Sequence, residues 1–309
     1  MDDIFEEDWS EDHRSGIVAV VGRPNVGKST LINHILGQKI AIVTNKPQTT
    51  RKQQLGIYTE KRGQILFTDT PGMHQPHHKL GQYMVDVAEE ALKDADLVLW
   101  LLDTSEPPHK DDLHIAARMQ QLHTPVVLVL NKTDLIPDDA NLEEHLGLIE
   151  NPQHVIKISA AEGENVPALI DYLMEVLPEG PRYYPADQVS EVNMRFIAAE
   201  IVREAIIKLT EEEIPYTVAV EVDQYKERSE DMTYISAIIY VERDSQKGII
   251  IGKNGAMIKQ IGTNAREELS NVIGTKIYLE LHVKVLKNWR SDENFMNRLG
   301  YRLPKKDDR

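Results

Sequence analysis

The stretch GRPNVGKST, residues 22–30, constrains the fold of this chain more than any other part of the sequence. It fits the pattern G-x-x-x-x-G-K-[ST], follows the apolar run IVAVV and precedes a segment with helical periodicity. In such a turn the glycines let backbone N–H groups surround a phosphate, the lysine adds positive charge and the hydroxyl ligates Mg²⁺. The pattern predicts a mononucleotide site with Lys28 on the β- and γ-phosphates and Ser29 on the metal. The residues assigned to the nucleotide in this loop are Gly22, Arg23, Pro24, Asn25, Val26, Gly27, Lys28, Ser29 and Thr30.

A second motif, NKTD at residues 131–134, follows the apolar run VVLVL and indicates which base is bound. The carboxylate of Asp134 can accept hydrogen bonds from N1–H and from the exocyclic amino group of guanine, a donor pair that adenine lacks. Asn131 is expected to brace the loop, and the stem of Lys132 to lie along the purine. The segment SAAEG at 159–163 is expected to direct N–H groups at the guanine oxygen. The residues assigned to the base are Asn131, Lys132, Thr133, Asp134, Ser159, Ala160 and Ala161.

DTPG at residues 69–72 supplies the second element of the predicted metal site. Asp69 is expected to hold Mg²⁺ directly or through water, and the Gly72 N–H to meet the γ-phosphate. The segment KPQTTR offers a switch threonine, for which Thr50 is preferred and Thr49 is the alternative. The predicted metal ligands are Ser29, Thr50 and Asp69, and the nucleotide contacts of this motif are Asp69, Thr70, Pro71, Gly72 and Met73.

Short apolar runs alternate with helical segments through the first part of the chain. Helices are predicted near 80–93, 110–121 and 164–177, between strands of the kind buried in a mostly parallel sheet. KQQLGIYTEK and RGQILFTDT indicate a hairpin, which places one antiparallel strand in that sheet. This order predicts a doubly wound α/β domain.

A second glycine turn, GKNG at residues 252–255, lies in a segment with a different order of predicted helices and strands. A helix predicted at 191–209 is followed by two alternating strands, the turn between two helices, and a last strand. The turn fits the GXXG loop of KH domains, which clamps the backbone of about four nucleotides, and the element order is that of the type-2 α+β KH fold. The residues assigned to RNA are Gly252, Lys253, Asn254, Gly255, Lys259, Lys284, Lys287 and Arg290.

Charge is spread unevenly over the 309 residues, whose formal net charge is −15. Acidic residues crowd the N-terminal end and basic residues gather after residue 283, so the C-terminal part can bind an anion despite the overall sign. The chain contains no cysteine, which excludes disulfides and thiolate chemistry and suits a reducing cytoplasm.

GRPNVGKST, PQTTR, DTPG, NKTD and SA, in this order, resemble the five guanine-nucleotide motifs of the translation-factor-like bacterial GTPases. One such domain followed by a type-2 KH domain is similar to the Era family. The resemblance implies a Ras-like P-loop domain with a mostly parallel six-stranded sheet, hydrolysis of GTP to GDP and phosphate, and Mg²⁺ as cofactor. It also implies binding near the 3′ end of 16S rRNA and a role in assembly and maturation of the 30S subunit.

The resemblance also bears on catalysis, because Met73 stands where Ras-type relatives carry the glutamine that orients water. It implies membership of the hydrophobic-substituted group, in which the asparagine matching Asn25 holds K⁺ beside the phosphates. Slow hydrolysis, faster in K⁺ than in Na⁺, is therefore expected. The residues assigned to catalysis are Lys28, Asn25, Thr50 and Gly72.

The predicted domain boundaries are an acidic extension at 1–15, the GTPase domain at 16–180, a linker at 181–190, the KH domain at 191–290 and a basic tail at 291–309. A cytoplasmic monomer is expected, with peripheral contact to the inner face of the cell membrane. Two rival functions stay open at this point. One is a membrane-associated signalling GTPase whose C-terminal module binds protein or lipid, and the other is an RNA chaperone whose nucleotide site is only structural.

Overall fold

The computed structural model describes residues 12–73, 78–135, 141–191 and 193–302. These residues form two compact units. The first unit holds the described parts of Met1–Gly37, Gln53–His74 and Val87–Glu191. The second unit holds the described parts of Gln38–Lys52, Gln75–Asp86 and Val192–Arg309. Most of the acidic extension and the last basic residues of the predicted tail lie outside the described residues.

A six-stranded sheet forms the centre of the first unit, in the order β2-β3-β1-β4-β5-β6. β2 pairs antiparallel with β3, and every other neighbouring pair is parallel, so the predicted doubly wound sheet with one hairpin is confirmed. The β3 and β4 strands are buried along their whole length, as expected for strands covered on both faces. The strands are β1 (Arg14–Val21), β2 (Gln54–Glu60), β3 (Gly63–Asp69), β4 (Leu97–Asp103), β5 (Val126–Asn131) and β6 (His154–Lys157).

Helices cover this sheet and complete its core. The apolar face of α3 packs with the C-terminal half of α2 against alternate residues of the central strands, including Trp100 and Leu128. α3 begins with a capping box in which the Asp112 carboxylate accepts from the backbone N–H of His109 at 2.9 Å. The helices are α1 (Lys28–Leu36), α2 (Lys79–Asp94), α3 (Lys110–Met119), α4 (Leu142–Leu146) and α5 (Val166–Val176).

The strand register brings the predicted site residues to one edge of the sheet. Val20 is aligned with Asp69, and Asp103 with Asn131. Ligands of open α/β sheets bind at the carboxyl ends of the strands, which is the edge where these residues lie.

The second unit contains a three-stranded sheet in the order β7-β8-β9, in which β7–β8 is antiparallel and β8–β9 parallel. α6 and α9 pack on one face of this sheet around Ile235, Ile239 and Leu269. This arrangement confirms the predicted α+β KH fold. Its elements are α6 (Met194–Leu209), α7 (Ile214–Thr217), β7 (Ala219–Ser229), β8 (Met232–Val241), α8 (Asp244–Ile251), α9 (Ala256–Ile273), β9 (Lys276–Val285) and α10 (Glu293–Arg298).

The structure differs from the predicted boundaries in two ways. Residues 38–52 and 78–86, predicted inside the GTPase domain, belong to the second unit. Residues 293–298, predicted as part of a basic tail, form the helix α10, which begins at an Asp292 N-cap and buries Met296. Burial of apolar side chains, which a composition argument overlooks, explains this second difference. Among the described residues, no helix is long and apolar enough to span a bilayer.

Candidate functional site

The loop between β1 and α1 has the backbone conformation that its glycines allow. Gly22, Asn25 and Gly27 all have positive φ, at 151°, 67° and 105°. A Cβ on Gly22 would lie 2.5 Å from the Leu101 carbonyl oxygen, and one on Gly27 would lie 2.3 Å from the Asn131 side chain. The loop therefore needs glycine at both positions, for conformation and for space.

Lys28, the first residue of α1, is buried beneath this loop with 6% of its surface exposed. Its Nζ donates to the carbonyl oxygens of Gly22 at 3.0 Å and Arg23 at 2.9 Å. Burial lowers the pKa of Lys28 to about 8, against the opposing effect of the Asp69 carboxylate. A cation held at this cost of solvation favours an anionic ligand such as a phosphate.

Ser29 and Asp69 meet at the end of β3, where the Ser29 hydroxyl donates to Asp69 Oδ2 at 2.8 Å. Both side chains offer hard oxygen donors, and Asp69 is fully buried, so this pair fits the oxygen ligands that Mg²⁺ prefers. The next residue, Thr70, donates to the Val20 carbonyl at 2.8 Å and ties the motif to β1.

Gly72 lies against the phosphate loop, because a Cβ there would come within 2.8 Å of the Pro24 backbone nitrogen. Its neighbour Pro71 is buried. The side chain of Met73 packs in the apolar core of the first unit, and its N–H donates to the Gly22 carbonyl at 3.4 Å. A thioether buried among apolar groups cannot orient water.

Asn131 connects three of the predicted motifs. It is 2% exposed, and its amide donates to the Val26 carbonyl of the phosphate loop at 2.7 Å. Its Oδ1 accepts from the Ala160 N–H at 2.9 Å. The bracing role expected of this residue therefore has two hydrogen bonds that carry it.

The base-recognition loops meet through Asp134 and Ser159. The Ser159 hydroxyl donates to Asp134 Oδ1 at 2.6 Å and accepts from the Glu162 N–H at 3.1 Å. The Thr133 N–H donates to the Ile158 carbonyl at 3.3 Å. Asp134 is exposed, as is Ala161, which leaves the carboxylate accessible to a base.

An acidic cluster beside the phosphate loop was not predicted from the sequence. Arg23 forms ion pairs with Asp103 at 3.5 Å, with Asp112 at 3.1 Å and with Glu106. Asp103 also accepts from Lys132 Nζ at 2.5 Å. Burial alone would raise the pKa of Asp103, but hydrogen bonds from Lys132 and Ser105 outweigh it and hold the pKa below its ordinary value. The sequence signal was the position of Asp103 at the carboxyl end of β4.

Thr49 and Thr50, the candidate switch threonines, are buried in the second unit. The Thr49 hydroxyl donates to the Lys46 carbonyl at 2.7 Å, and its own carbonyl accepts from Arg203. Arg51 is 2% exposed and donates to carbonyl groups of α7 and its C-cap. The choice between Thr49 and Thr50 as metal ligand stays a prediction.

The second glycine turn joins α8 to α9 as predicted. Gly252, Asn254 and Gly255 have φ of 73°, 54° and 77°, and Lys253 and Asn254 are exposed. A Cβ on Gly252 would lie 2.7 Å from the Met257 backbone nitrogen, whereas one on Gly255 would meet nothing within 4 Å. The turn presents its two central side chains to solvent at the N-terminus of a long helix.

The remaining residues assigned to RNA differ in their surroundings. Lys259 on α9, Lys284 on β9 and Lys287 are exposed. Arg290 is paired instead, since it donates to Glu242 Oε2 at 2.7 Å with 21% of its side chain exposed. Its charge is therefore already partly neutralised within the second unit.

Fold and site together define a class: a P-loop GTPase domain joined to a KH domain. Residues 17–132 match a family described as 50S ribosome-binding GTPase, and residues 213–290 match the KH domain.

Two solved structures resemble nearly the whole chain. Aquifex aeolicus Era bound to GDP·AlF4⁻ has 38% sequence identity and a TM-score of 0.89, covering 94% of this chain and 100% of that one. Era in complex with MgGDPNP and nucleotides 1506–1542 of 16S ribosomal RNA has 38% identity and a TM-score of 0.88, with the same coverage of both chains. The chain belongs to the Era family. It is a GTPase.

Proposed function

We propose that this GTPase is a nucleotide-controlled switch that binds 16S rRNA near its 3′ end and acts in assembly and maturation of the 30S subunit. One observation carries the proposal: the chain matches, at 38% identity over 94% of its length, an Era protein solved with nucleotides 1506–1542 of 16S ribosomal RNA. The GXXG turn and the exposed lysines of the second unit supply the groups that such an RNA needs.

In the proposed nucleotide site, the buried ammonium of Lys28 binds the β- and γ-phosphates. Ser29 and Asp69 would hold Mg²⁺, with Thr50, or Thr49 as the alternative, as the further predicted ligand, and the ion would neutralise charge on the phosphate oxygens. The Gly72 N–H meets the γ-phosphate. The Asp134 carboxylate, held by Ser159, accepts from guanine.

For the hydrolysis step, we propose that a K⁺ ion held by Asn25 assists the reaction. Met73 is packed in the core and has no group that could direct water, whereas Asn25 is an exposed amide at positive φ inside the phosphate loop. GTP turnover should be several times faster in KCl than in NaCl at equal ionic strength. The same rate in both salts, or an Asn25→Ala variant that keeps the K⁺ effect, would contradict this role.

The RNA assignment is tested with the variant Lys253→Asp with Asn254→Asp. Both side chains are exposed, and aspartate tolerates the left-handed backbone at position 254, so the turn should keep its shape. Affinity for RNA of nucleotides 1506–1542, measured by fluorescence anisotropy, should fall at least tenfold. Lys28→Ala is the matched control, since it should lose GTP turnover and keep RNA affinity in the absence of nucleotide.

We place this activity in the cytoplasm, in a monomer, with the basic C-terminal residues also able to contact an anionic membrane surface. Flotation with vesicles containing phosphatidylglycerol measures that contact. Strong flotation together with no affinity for the RNA would favour the membrane-signalling function instead. Retained function of a turnover-deficient Lys28→Ala protein in cells would favour the RNA chaperone.

A further inference from the structure

The two halves of the outer face of the three-stranded sheet in the second unit differ in their surroundings. Side chains alternate along β8, so that Ile235 and Ile239 face the helices, and Tyr234 and Ile238 face the other way. Towards the end of β8, Ile238 and Tyr240 pack with a cluster that includes Trp289. Towards its start, Tyr234 and Ser236 of β8 are also buried, and the exposed side chains of this face lie on the flanking strands β7 and β9.

Two tyrosines and an arginine form a stack on this half of the outer face, where Tyr234 is buried beneath the other two. The rings of Tyr234 and Tyr278, aligned on neighbouring strands, have centroids 5.8 Å apart and an interplanar angle of 25°. The Arg228 guanidinium lies 4.2 Å from the Tyr234 centroid and 5.7 Å from that of Tyr278. Tyr278 is 52% exposed. The outer face therefore carries a prearranged aromatic surface, which we call the tyrosine platform.

A groove of about 480 Å³ runs beside the tyrosine platform, large enough for one nucleobase. Its lining mixes polar and apolar side chains, among them Asp223, Gln224, Ser236, Ile238, Glu280 and His282. The hydroxyl of Tyr234 donates to Glu280 Oε2 at 2.8 Å, which fixes one oxygen of that carboxylate. Glu280 is 42% exposed, so its other oxygen can accept from a ligand that enters the groove.

Basic side chains surround the same surface. Lys276 and Lys284 share the face of Tyr278 by the two-residue repeat of β9, and both are exposed. Lys226 is aligned with Tyr234 and is exposed as well. A stacking ring, a groove with polar side chains and flanking cations are the features that bind an unpaired nucleotide.

β9 connects this surface to the GXXG turn. The inward residues of β9, among them Ile277 and Leu281, pack with Ile261 and Leu269 of α9. α9 begins directly after the turn. A strand of RNA that leaves the GXXG turn therefore has to pass only the edge strand to reach the outer face.

We propose that the tyrosine platform and its groove bind a further unpaired RNA nucleotide, whose base stacks on Tyr278 and carries an exocyclic amino group. The Glu280 carboxylate accepts from that amino group, so cytosine is favoured over uracil, which lacks the donor. This inference rests on the proposed function, because the base belongs to the RNA that the GXXG turn also holds.

The test compares Tyr278→Ala with Tyr278→Phe in the full chain. With RNA of nucleotides 1506–1542 as the probe, the alanine variant should bind about five- to thirtyfold more weakly, whereas the phenylalanine variant keeps the ring and should stay within about twofold. The base preference is measured by comparing the affinities of twelve-nucleotide oligocytidylate and oligouridylate, of which the first should bind more tightly. Glu280→Gln should reduce the preference for oligocytidylate.

The outcomes separate this inference from the proposed function. If the Lys253→Asp, Asn254→Asp variant binds RNA as well as the natural chain, the proposed function fails. If that variant loses RNA and Tyr278→Ala does not, only the platform assignment fails. Equal loss in the alanine and phenylalanine variants would also overturn stacking. Sedimentation shows whether the protein forms a dimer. If it does, and Tyr278→Ala dissociates that dimer without changing RNA affinity, the surface binds a second copy of the chain instead of RNA.

Discussion

The buried Lys28 makes nucleotide affinity depend on pH in a way that can be worked out from its surroundings. Burial lowers its pKa to about 8 in the nucleotide-free protein, and a bound phosphate would restore the pKa towards the ordinary value of a lysine. Nucleotide therefore binds the protonated form. Since the protonated fraction falls about tenfold between pH 7 and pH 9, the Kd for GDP should rise about tenfold over that range.

The lowered pKa of Lys28 also affects the stability of the folded protein. The folded, nucleotide-free protein binds fewer protons at Lys28 than the unfolded chain between pH 8 and pH 10.5, so its stability from this group rises with pH in that window. At pH 7 the full displacement from 10.5 to about 8 costs roughly 3 kcal/mol. Lys28→Met removes that cost, and the nucleotide-free variant should melt at a higher temperature.

Titration of fluorescent GDP at a series of pH values measures the predicted dependence. Lys28→Arg is the control, because a guanidinium stays charged throughout this range. Titration of the guanine base of the nucleotide affects both proteins equally and so cancels in the comparison. The natural chain should show a slope that the arginine variant lacks. A Kd that is flat to pH 9, or the same slope in both proteins, would refute the reasoning.

Three further experiments test the geometry of the two sites. Asn131→Ala removes two buried hydrogen bonds. It should lower the free energy of unfolding of the first unit, measured by urea titration, by about 2–4 kcal/mol. A loss below about 0.5 kcal/mol would contradict the bracing role. Asp134→Asn replaces a hydrogen-bond acceptor by a donor. In competition binding it should shift the preference from GTP towards xanthosine triphosphate by about tenfold or more. An unchanged preference for GTP would show that Asp134 does not contact the base. Gly252→Ala should lower the melting temperature more than Gly255→Ala, because only the former would meet the Met257 backbone at 2.7 Å. Equal shifts would contradict that difference in space.

Much of the fold and of the nucleotide site could be predicted because the signals are local. The phosphate loop, DTPG and NKTD each follow a buried strand, and parallel strands bring their carboxyl ends to one edge of the sheet. The GXXG turn was equally local, since its positive φ values fall on two glycines and Asn254.

What could not be predicted depends on contacts between residues far apart in the sequence. Arg23 pairs with Asp112, which lies 89 positions later, and nothing in the loop motif specifies that partner. The packing of residues 38–52 in the second unit is of the same kind. The polar run KPQTTR within this segment is typical of a solvated loop, whereas Arg51 is buried against backbone carbonyls of Pro215 and Val218.

The packing of residues 38–52 within the second unit affects how the protein can be truncated. Lys39 Nζ lies 2.6 Å from both Glu204 of α6 and Glu268 of α9, and Lys46 donates to the carbonyl end of α6. A fragment cut at the linker, beginning at residue 191, would leave Glu204, which is 4% exposed, without the ammonium of Lys39. Because an upstream segment completes the C-terminal unit, separating the halves by ordinary truncation would yield a damaged RNA module, and its measured affinities would understate those of the intact chain.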